Sequence, residues 1–383
     1  MKITALRTYA VPPRWLFLKI ETDAGVSGWG EPVLEGHVRT LAAKIEEYGT
    51  MLIGLDPARI TDIWQMLYRN GCYRGGPVLM SALAGIDMAL WDIRGRVLDQ
   101  PVHALLGGRV RDRIRAYTWI GGDRADTLIE DAQAARDAGF TAAKFNVGGE
   151  IAMIESHRKV DAVVANIAAL RDAMGPDFDL AVDFHGRVSV PMARVLLREL
   201  EPLRPLFVED PVLQGQMDVL ADLARMTPIP LACGERLHSR DAFKPVIEGR
   251  GAAIINPDTA HVGGITVMLR LGAWAETYDI AIAPHCPLGP VALAACLQVD
   301  ALCHNAALQE FASGIHYNGG VGHGDYLVGG QDFRIEDGFL PIPDGPGLGI
   351  EVDEEAVRAR VSQPEADWRA PVWRHADGSI AEW

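Results

Sequence analysis

From residue 115 to residue 313 the chain repeats one pattern: a short run of β-branched, small and aromatic residues, then a stretch with helical periodicity. The runs are RAYTWIGG, TAAKFNVGG, LAVDFHG, PLFVEDP, IPLACGE, AAIINPD, IAIAPHC and ALQEFAS. The stretches between them carry helical marks. A capping box from Thr127 to Glu130 is closed by Gly139, and Met192, Leu196 and Leu200 form an i, i+4 series. Strands that alternate with helices specify parallel pairing, because the helix returns the chain to start the next strand beside the last. Eight such units predict an α/β fold with a closed (β/α)₈-type barrel.

The residues before this repeat follow another pattern. WLFLKIETDAGVSGWGE alternates at Leu16, Leu18 and Ile20, turns at Asp23 to Gly25 and extends again through Trp29, which predicts antiparallel sheet. Helical patterns follow around Arg39 to Gly49 and Val78 to Leu98, with the loop GCYRGGP, Gly71 to Pro77, between them. The expected organisation is an α+β capping domain over 1–112, the barrel over 113–320, and a segment 321–383 that returns to cover the capping domain. GLGIEV and DWRAPVWRHADGSIAEW are the extended parts of that segment.

Composition narrows the classes of function. With 383 residues, a large domain and a smaller partner are the natural arrangement. The formal net charge of -15 repels phosphate backbones and anionic lipid, so neither nucleic acid nor a membrane surface is an expected partner. A small anionic substrate is still compatible, because a metal ion reverses the local sign. The five cysteines form no C-x-x-C pair and read as reduced thiols, and MKITALRTYAVPPRW has no apolar core of a signal peptide, so a cytoplasmic protein is expected. The apolar stretch Ile280 to Val299 contains three prolines and His285, and reads as strand, loop and core helix rather than as a membrane span.

The strand runs turn polar at their ends. Asp183, Glu209 and Glu235 fall at equal steps of 26 residues, and Asp258, His285 and Glu310 continue at steps of 23, 27 and 25. One step is one βα unit, and strand ends of a barrel converge on the face that carries active sites. Three carboxylates brought together repel one another unless protonated or shared by a cation. A hard divalent ion, Mg²⁺ above all, suits them, and no Cys/His spacing supports zinc. Three separately solvated acids are the alternative, and the equal spacing counts against it.

Alternation along a strand places His185 on the face of Asp183, and Asn146 on the face of Lys144. His285 ends the seventh strand beside Asp258, which could hold its second ring nitrogen and raise its basicity. Lys144 could neutralise an anionic substrate, and Glu310 could be a buried partner of a base or a hydrogen-bond partner of the substrate. A cation, a lysine and two opposed histidines suit removal of a proton beside a carboxylate. The second histidine could return a proton to the same carbon, giving racemisation, or assist loss of a hydroxyl from the next carbon, giving dehydration.

These motifs, VDFHG, VEDP, GER, NPD and PHCPLGP, resemble those of the enolase superfamily, mandelate racemase subgroup, whose fold is a modified barrel under an amino-terminal cap. The enolase-superfamily use of a Lys or His base with Mg²⁺ is general knowledge of these sites. Longer segments, among them PPRWLFLKIETD, YRGGPVLMSALAGIDMALWDI, DFHGRVS and APHCPLGPVALAACLQVD, are similar to the acid-sugar dehydratases of the subgroup. The resemblance implies one Mg²⁺ per subunit on Asp183, Glu209 and Glu235. It implies His285 with Asp258 as the general base, His185 as the general acid and Glu310 as the group that stabilises the intermediate. It also places Arg14 and Tyr73 of the cap, with Lys144 and Asn146, at the substrate, and implies a homo-oligomer. Asn146 stands where the K-x-K racemases carry a second lysine, which favours dehydration. The expected substrate is D-galactonate, with another aldonate such as gluconate as the alternative and a racemase or epimerase behind both. Two positions depart from the family pattern: Asp210 replaces a second glutamate, and VGGEI follows Asn146.

Overall fold

The computed structural model describes residues 1–122, 125, 127–312, 315–361 and 368–383. Ser313 of the ALQEFAS run, Gly314 and Asp367 lie outside the described residues. The cap is a three-stranded antiparallel sheet of β1 (Ile3–Val11), β2 (Trp15–Thr22) and β3 (Ser27–Gly30), with the helices α1 (Val38–Leu52), α2 (Ile60–Arg69), α3 (Pro77–Leu98) and α4 (Val102–Leu105). Helix α3 lies directly on β3. A Cβ at Gly30 would run into the Gly85 carbonyl and one at Gly85 into the Pro32 ring, so both positions need glycine.

Eight parallel strands follow in ring order: β4 (Arg113–Ile120), β5 (Ala142–Asn146), β6 (Asp179–Asp183), β7 (Val208–Glu209), β8 (Leu231–Cys233), β9 (Ile254–Ile255), β10 (Ala281–Ile282) and β11 (Gln309–Glu310). The ring closes where Ile282 bridges Ala306 in parallel and the Ala307 N–H donates to the Ile282 carbonyl at 2.9 Å. Alanines 142, 181, 232 and 283 line the interior, leaving room for Tyr117 and Phe207 to meet edge to face at 5.7 Å. Helices α5 (Leu128–Asp137), α6 (His157–Met174), α7 (Val190–Leu200), α8 (Leu220–Met226), α9 (Arg240–Glu248), α10 (Ile265–Glu276) and α11 (Pro290–Asp300) connect the strands.

Two expectations change here. The predicted eighth helix is replaced, among the described residues, by short 3₁₀ turns at His316–Asn318 and His323–Tyr326. The glycine-rich sequence after Ile315 carries too much backbone entropy to hold an α-helix. The capping box at the start of α5 is not formed: the Thr127 hydroxyl donates to Asp131 Oδ2 at 2.7 Å, and that oxygen also accepts from the Gly121 N–H.

The segment after residue 321 makes two kinds of contact. Leu348 N–H donates to Asp92 Oδ1 at 2.9 Å, and Glu354, at the start of α12 (Glu354–Ala359), accepts from Tyr9 and Lys19, so this part lies on the cap. Its strand β12 (Phe339–Pro341) instead pairs antiparallel with β4. Residues 368–383 follow the expectation only in part: Trp368 packs on Arg14 of the cap, but Trp373 lies over the Arg187 guanidinium and Trp383 beside His185, both on the barrel. Aromatic side chains gain more from burial at that mouth than from the solvated outer face of the cap.

Two buried acids dock the cap on the barrel. Asp87 accepts from the Thr266 N–H and hydroxyl at the start of α10, and Glu31 accepts from Gly289 and Ala292 N–H at the start of α11. In a βα barrel those helix starts lie on the face of the strand ends, so the cap sits over the mouth. Burial pushes the Glu31 carboxyl up to about 8, against the pull of its N–H donors. With its folded value above the ordinary 4.5, folded Glu31 keeps a proton that the unfolded chain releases, so its contribution to stability falls between about pH 4.5 and 8. Glu31→Gln is therefore expected to be less stable than the parent at pH 5, and to recover about 3 kcal/mol relative to it by pH 8. Thermal melts of both proteins across that range test this, and a constant difference would contradict it.

No described helix is long and apolar enough to cross a membrane.

Candidate active site at the barrel mouth

A cavity of about 510 Å³ opens between the cap and the strand ends. Two of the three spaced carboxylates, Asp183 and Glu235, line its floor, and Glu209 lies directly beside them. One oxygen from each of Asp183, Glu209 and Glu235 lies within 4.8 Å of the others, and all three residues are buried. Asp183 closes β6 and Glu209 closes β7, while Glu235 lies two residues beyond β8. The Asn256 amide donates to Glu209 Oε2 at 3.3 Å. Burial pushes the Glu209 carboxyl well above the usual range, and the neighbouring acids add to the effect. Burial acts the same way on Glu235, but His285, His185 and Arg236 hold it well below. A dry, all-oxygen set in which one acid is held unfavourably matches a hard divalent cation, so the donor chemistry fits Mg²⁺.

His185 reaches this floor by a route that alternation does not describe. Strand β6 ends at Asp183, and His185 adopts the left-handed conformation with φ +51°. Its N–H donates to Asp183 Oδ1 at 2.6 Å, which fixes the turn. His185 Nδ1 then lies 3.8 Å from Asp183 Oδ2, and the Arg236 guanidinium holds the His185 carbonyl at 2.6 Å. Arg236 also pairs with Glu235 and with Asp210. Burial pushes the Asp210 carboxyl up to about 7 despite Arg236, so Asp210 belongs to the support of the acid floor.

On the opposite side of the ring, a parallel bridge between Asp258 and His285 extends the pairing of β9 and β10 to the mouth. His285 Nδ1 meets Asp258 Oδ2 at 2.7 Å, while Nε2 lies 3.3 Å from Glu235 and 3.9 Å from Glu310. With a carboxylate at each ring nitrogen the charged imidazole is favoured; a cation taken up by Glu235 would leave Nδ1–H on Asp258 and free Nε2 to accept a proton from the cavity. Burial alone would lower the pKa of His285, but Glu235, Glu310 and Asp258 together raise it well above the ordinary value. Asp258 is itself shared, since His261 Nε2 lies 3.7 Å from the same oxygen.

Lys144 also lines the cavity, but its charge is committed to the acids. It pairs with Glu209, with Asp183 at 3.5 Å and with Glu310 at 3.2 Å. Burial opposes its charge, and these acids outweigh burial, so its pKa is raised well above 10.5. Glu310 also accepts the Cys286 N–H at 3.0 Å. Asn146 is buried beside Asp183 in the sheet register, 3.5 Å from the Trp119 indole nitrogen. Arg14 lines the cavity, paired with Glu35 at 3.1 Å and packed over the rings of Tyr317 and Trp368. Tyr73 does not reach the site: its side chain is 92% exposed and borders a separate shallow depression with Lys44 and Tyr48, and only the end of its loop, Pro77, touches the cavity.

Residues 4–107 match the family described as mandelate racemase / muconate lactonizing enzyme, N-terminal domain, and residues 127–356 match enolase C-terminal domain-like. The chain belongs to the mandelate racemase branch of the enolase superfamily. Curated members similar to it over 100% of both chains are the D-galactonate dehydratases of Variovorax paradoxus, 58% identical, and Cronobacter sakazakii, 56% identical. A crystal structure of an enolase from Agrobacterium radiobacter with bound sodium and L-malate matches with a TM-score of 0.90 and 30% identity over 100% of both chains. An enolase-superfamily member from Salmonella Typhimurium matches at 0.85 with 27% identity over 93% of this chain and 97% of its own. The acid floor and histidines thus sit within a known enolase-superfamily fold.

Several cavity residues of this superfamily member escaped the sequence reading. Trp119 lies near the end of the first barrel strand, and the strand-end rule applied to aromatic as well as polar residues would have found it. His238 follows Glu235 by three residues on the same loop. Glu35, Trp368 and Trp383 carry no periodic signal at all.

Proposed function

We propose that this protein is a Mg²⁺-dependent dehydratase that converts D-galactonate to 2-dehydro-3-deoxy-D-galactonate and water. The observation that carries the reading is the His285–Asp258 pair and His185 on opposite sides of one cavity over the three clustered carboxylates. The full-length likeness to D-galactonate dehydratases supports the choice of substrate.

Asp183, Glu209 and Glu235 would hold the ion. When bound, it supplies positive charge for the substrate carboxylate and for the charge that develops as the adjacent C–H bond breaks. His285 Nε2 takes the proton from carbon 2, and Asp258 holds the imidazole in the tautomer that can accept it. His185 gives a proton to the hydroxyl on carbon 3, which leaves as water. The enol left behind gains a proton at carbon 3 and becomes the 2-keto acid. Glu310, held by Lys144 and Cys286, faces the same charge and orients the intermediate. Asn146 in place of a second lysine supports dehydration over racemisation. The same reading divides the chain at 112 and 320 and includes a homo-oligomer.

A panel of aldonates incubated with the protein and Mg²⁺ tests this by formation of 2-keto acid. Galactonate is expected to react with the highest kcat/KM. Preference for gluconate, its carbon 4 epimer, would move the assignment within the dehydratases. No dehydration of any aldonate would sink it, and inverted, deuterated substrate recovered from heavy water would make the protein a racemase.

A further inference from the structure

The stretch from Trp368 to Trp383 builds an aromatic wall that the chemistry above does not use. Trp373 is buried over the Arg187 guanidinium, 4.5 Å from its ring centroid, and Arg187 donates to the Gly148 carbonyl at 2.9 Å. Arg374 pairs with Ile380 across a tight turn, where Gly378 has φ +86°. The Ala381 N–H then returns to the Trp373 carbonyl at 3.1 Å. This anchored hairpin delivers the Trp383 ring to 5.8 Å from the His185 ring, edge-on at 63°. Trp368 lies 5.5 Å from Trp383 and Tyr317 6.3 Å, and Arg14 packs over both of those rings.

Two buried indole N–H groups have no acceptor among the described residues, those of Trp15 and Trp383. Trp15 lies in the apolar core, stacked on His323 at 5.6 Å. Trp383 is different because it borders the cavity that holds His185, Glu235 and His285. A buried indole N–H ordinarily finds a partner, and the cost of leaving it without one exceeds the net gain of an ordinary hydrogen bond. Of the rings next to it, those of His185, Tyr317 and Trp368, none accepts its hydrogen. A ligand oxygen supplies what the chain does not.

We propose that Trp383 recognises the hydroxyl-bearing chain of the acid sugar beyond carbon 3. Its Nε1–H donates to a hydroxyl oxygen, while the rings of Trp368 and Tyr317 cover the C–H surface of the same chain. This rests on the dehydratase reading, since the place beside His185 is the place beside the departing hydroxyl. It assigns Trp383 to substrate binding, with no part in proton transfer. Pockets of this kind combine apolar walls with a few placed donors that fix orientation.

The test uses Trp383→Phe, which keeps a ring and removes the donor, and Trp383→Ala, which removes both. Wild-type turnover of D-galactonate is measured first. Its absence, with every other aldonate also inert, overturns the dehydratase reading and the inference with it, before any variant is made. Given turnover, Trp383→Phe is expected to raise KM about tenfold, the factor of one desolvated hydrogen bond, with kcat within about twofold. Trp383→Ala is expected to raise KM further. A KM within about twofold of wild type in both variants overturns the inference and leaves the dehydratase standing. A fall in kcat at unchanged KM also overturns it, because the ring would then be supporting His185. Thermal melts accompany each variant, and a loss of activity that tracks a lowered melting temperature would mark a structural role and overturn it too.

Discussion

Replacing His285 with asparagine is expected to lower kcat for galactonate dehydration by about 10³- to 10⁴-fold while leaving the protein folded and able to bind Mg²⁺. Asparagine is close in size and its amide can still donate to Asp258, so the support beneath the residue survives. What it lacks is a nitrogen that can accept a proton at the Nε2 position. The same variant is expected to abolish exchange of the carbon 2 proton with heavy water. His185→Asn provides the contrast, since removal of the acid stops loss of the hydroxyl but leaves His285 able to exchange that proton. The two variants together separate the base from the acid. Retention of exchange in His285→Asn, or its loss in His185→Asn alone, would reverse the assignment of roles.

This contrast follows from the different ways the two histidines are held, and only one of those ways was legible in the sequence. His285 follows from the strand-end rule, because the β9 and β10 pairing continues as a bridge to Asp258. His185 was assigned to the right cavity by an alternation that stops at Asp183; a left-handed turn supplies the direction instead. The acid floor was legible because one βα unit has a nearly constant length, which turns a spatial ring into a sequence period. Lys144 was read as a group for the substrate, and burial among three acids shows where its charge goes. Helix α2 was legible but unread, since Ile60, Ile63, Trp64 and Leu67 form a plain i, i+3, i+4, i+7 stripe. Strand β1 offered less, with a half-exposed middle that blurs its alternation. Tyr73 and Trp383 show the limit most clearly. Whether a loop or tail reaches a site depends on long-range packing, and neither has a period to betray it.

Glu209→Gln is the second large effect expected, and its reasoning is a matter of charge. Glu209 is fully buried between the Lys144 ammonium and the Asn256 amide, both of which donate to it. Glutamine keeps the volume and removes one negative charge. Its carbonyl can accept from one neighbour, but its NH₂ must then face the other donor, so the substitution costs a hydrogen bond as well as a ligand. Lys144 retains Asp183 and Glu310, which keeps its charge compensated and the barrel folded. With two carboxylates left, the site's affinity for Mg²⁺ is expected to fall by at least about 100-fold, since even partners that merely orient a metal ligand are worth 10- to 100-fold. Activity should fall below detection at Mg²⁺ concentrations that saturate the parent. A second readout is independent of turnover: an ion that binds only the folded state stabilises it by mass action, about 2.7 kcal/mol at 100 times its dissociation constant. The parent should therefore melt higher in Mg²⁺ than in chelator, and Glu209→Gln should melt at the same temperature in both. A parent that ignores Mg²⁺, or a variant that binds it as tightly as the parent, would remove the acid floor from the proposed chemistry.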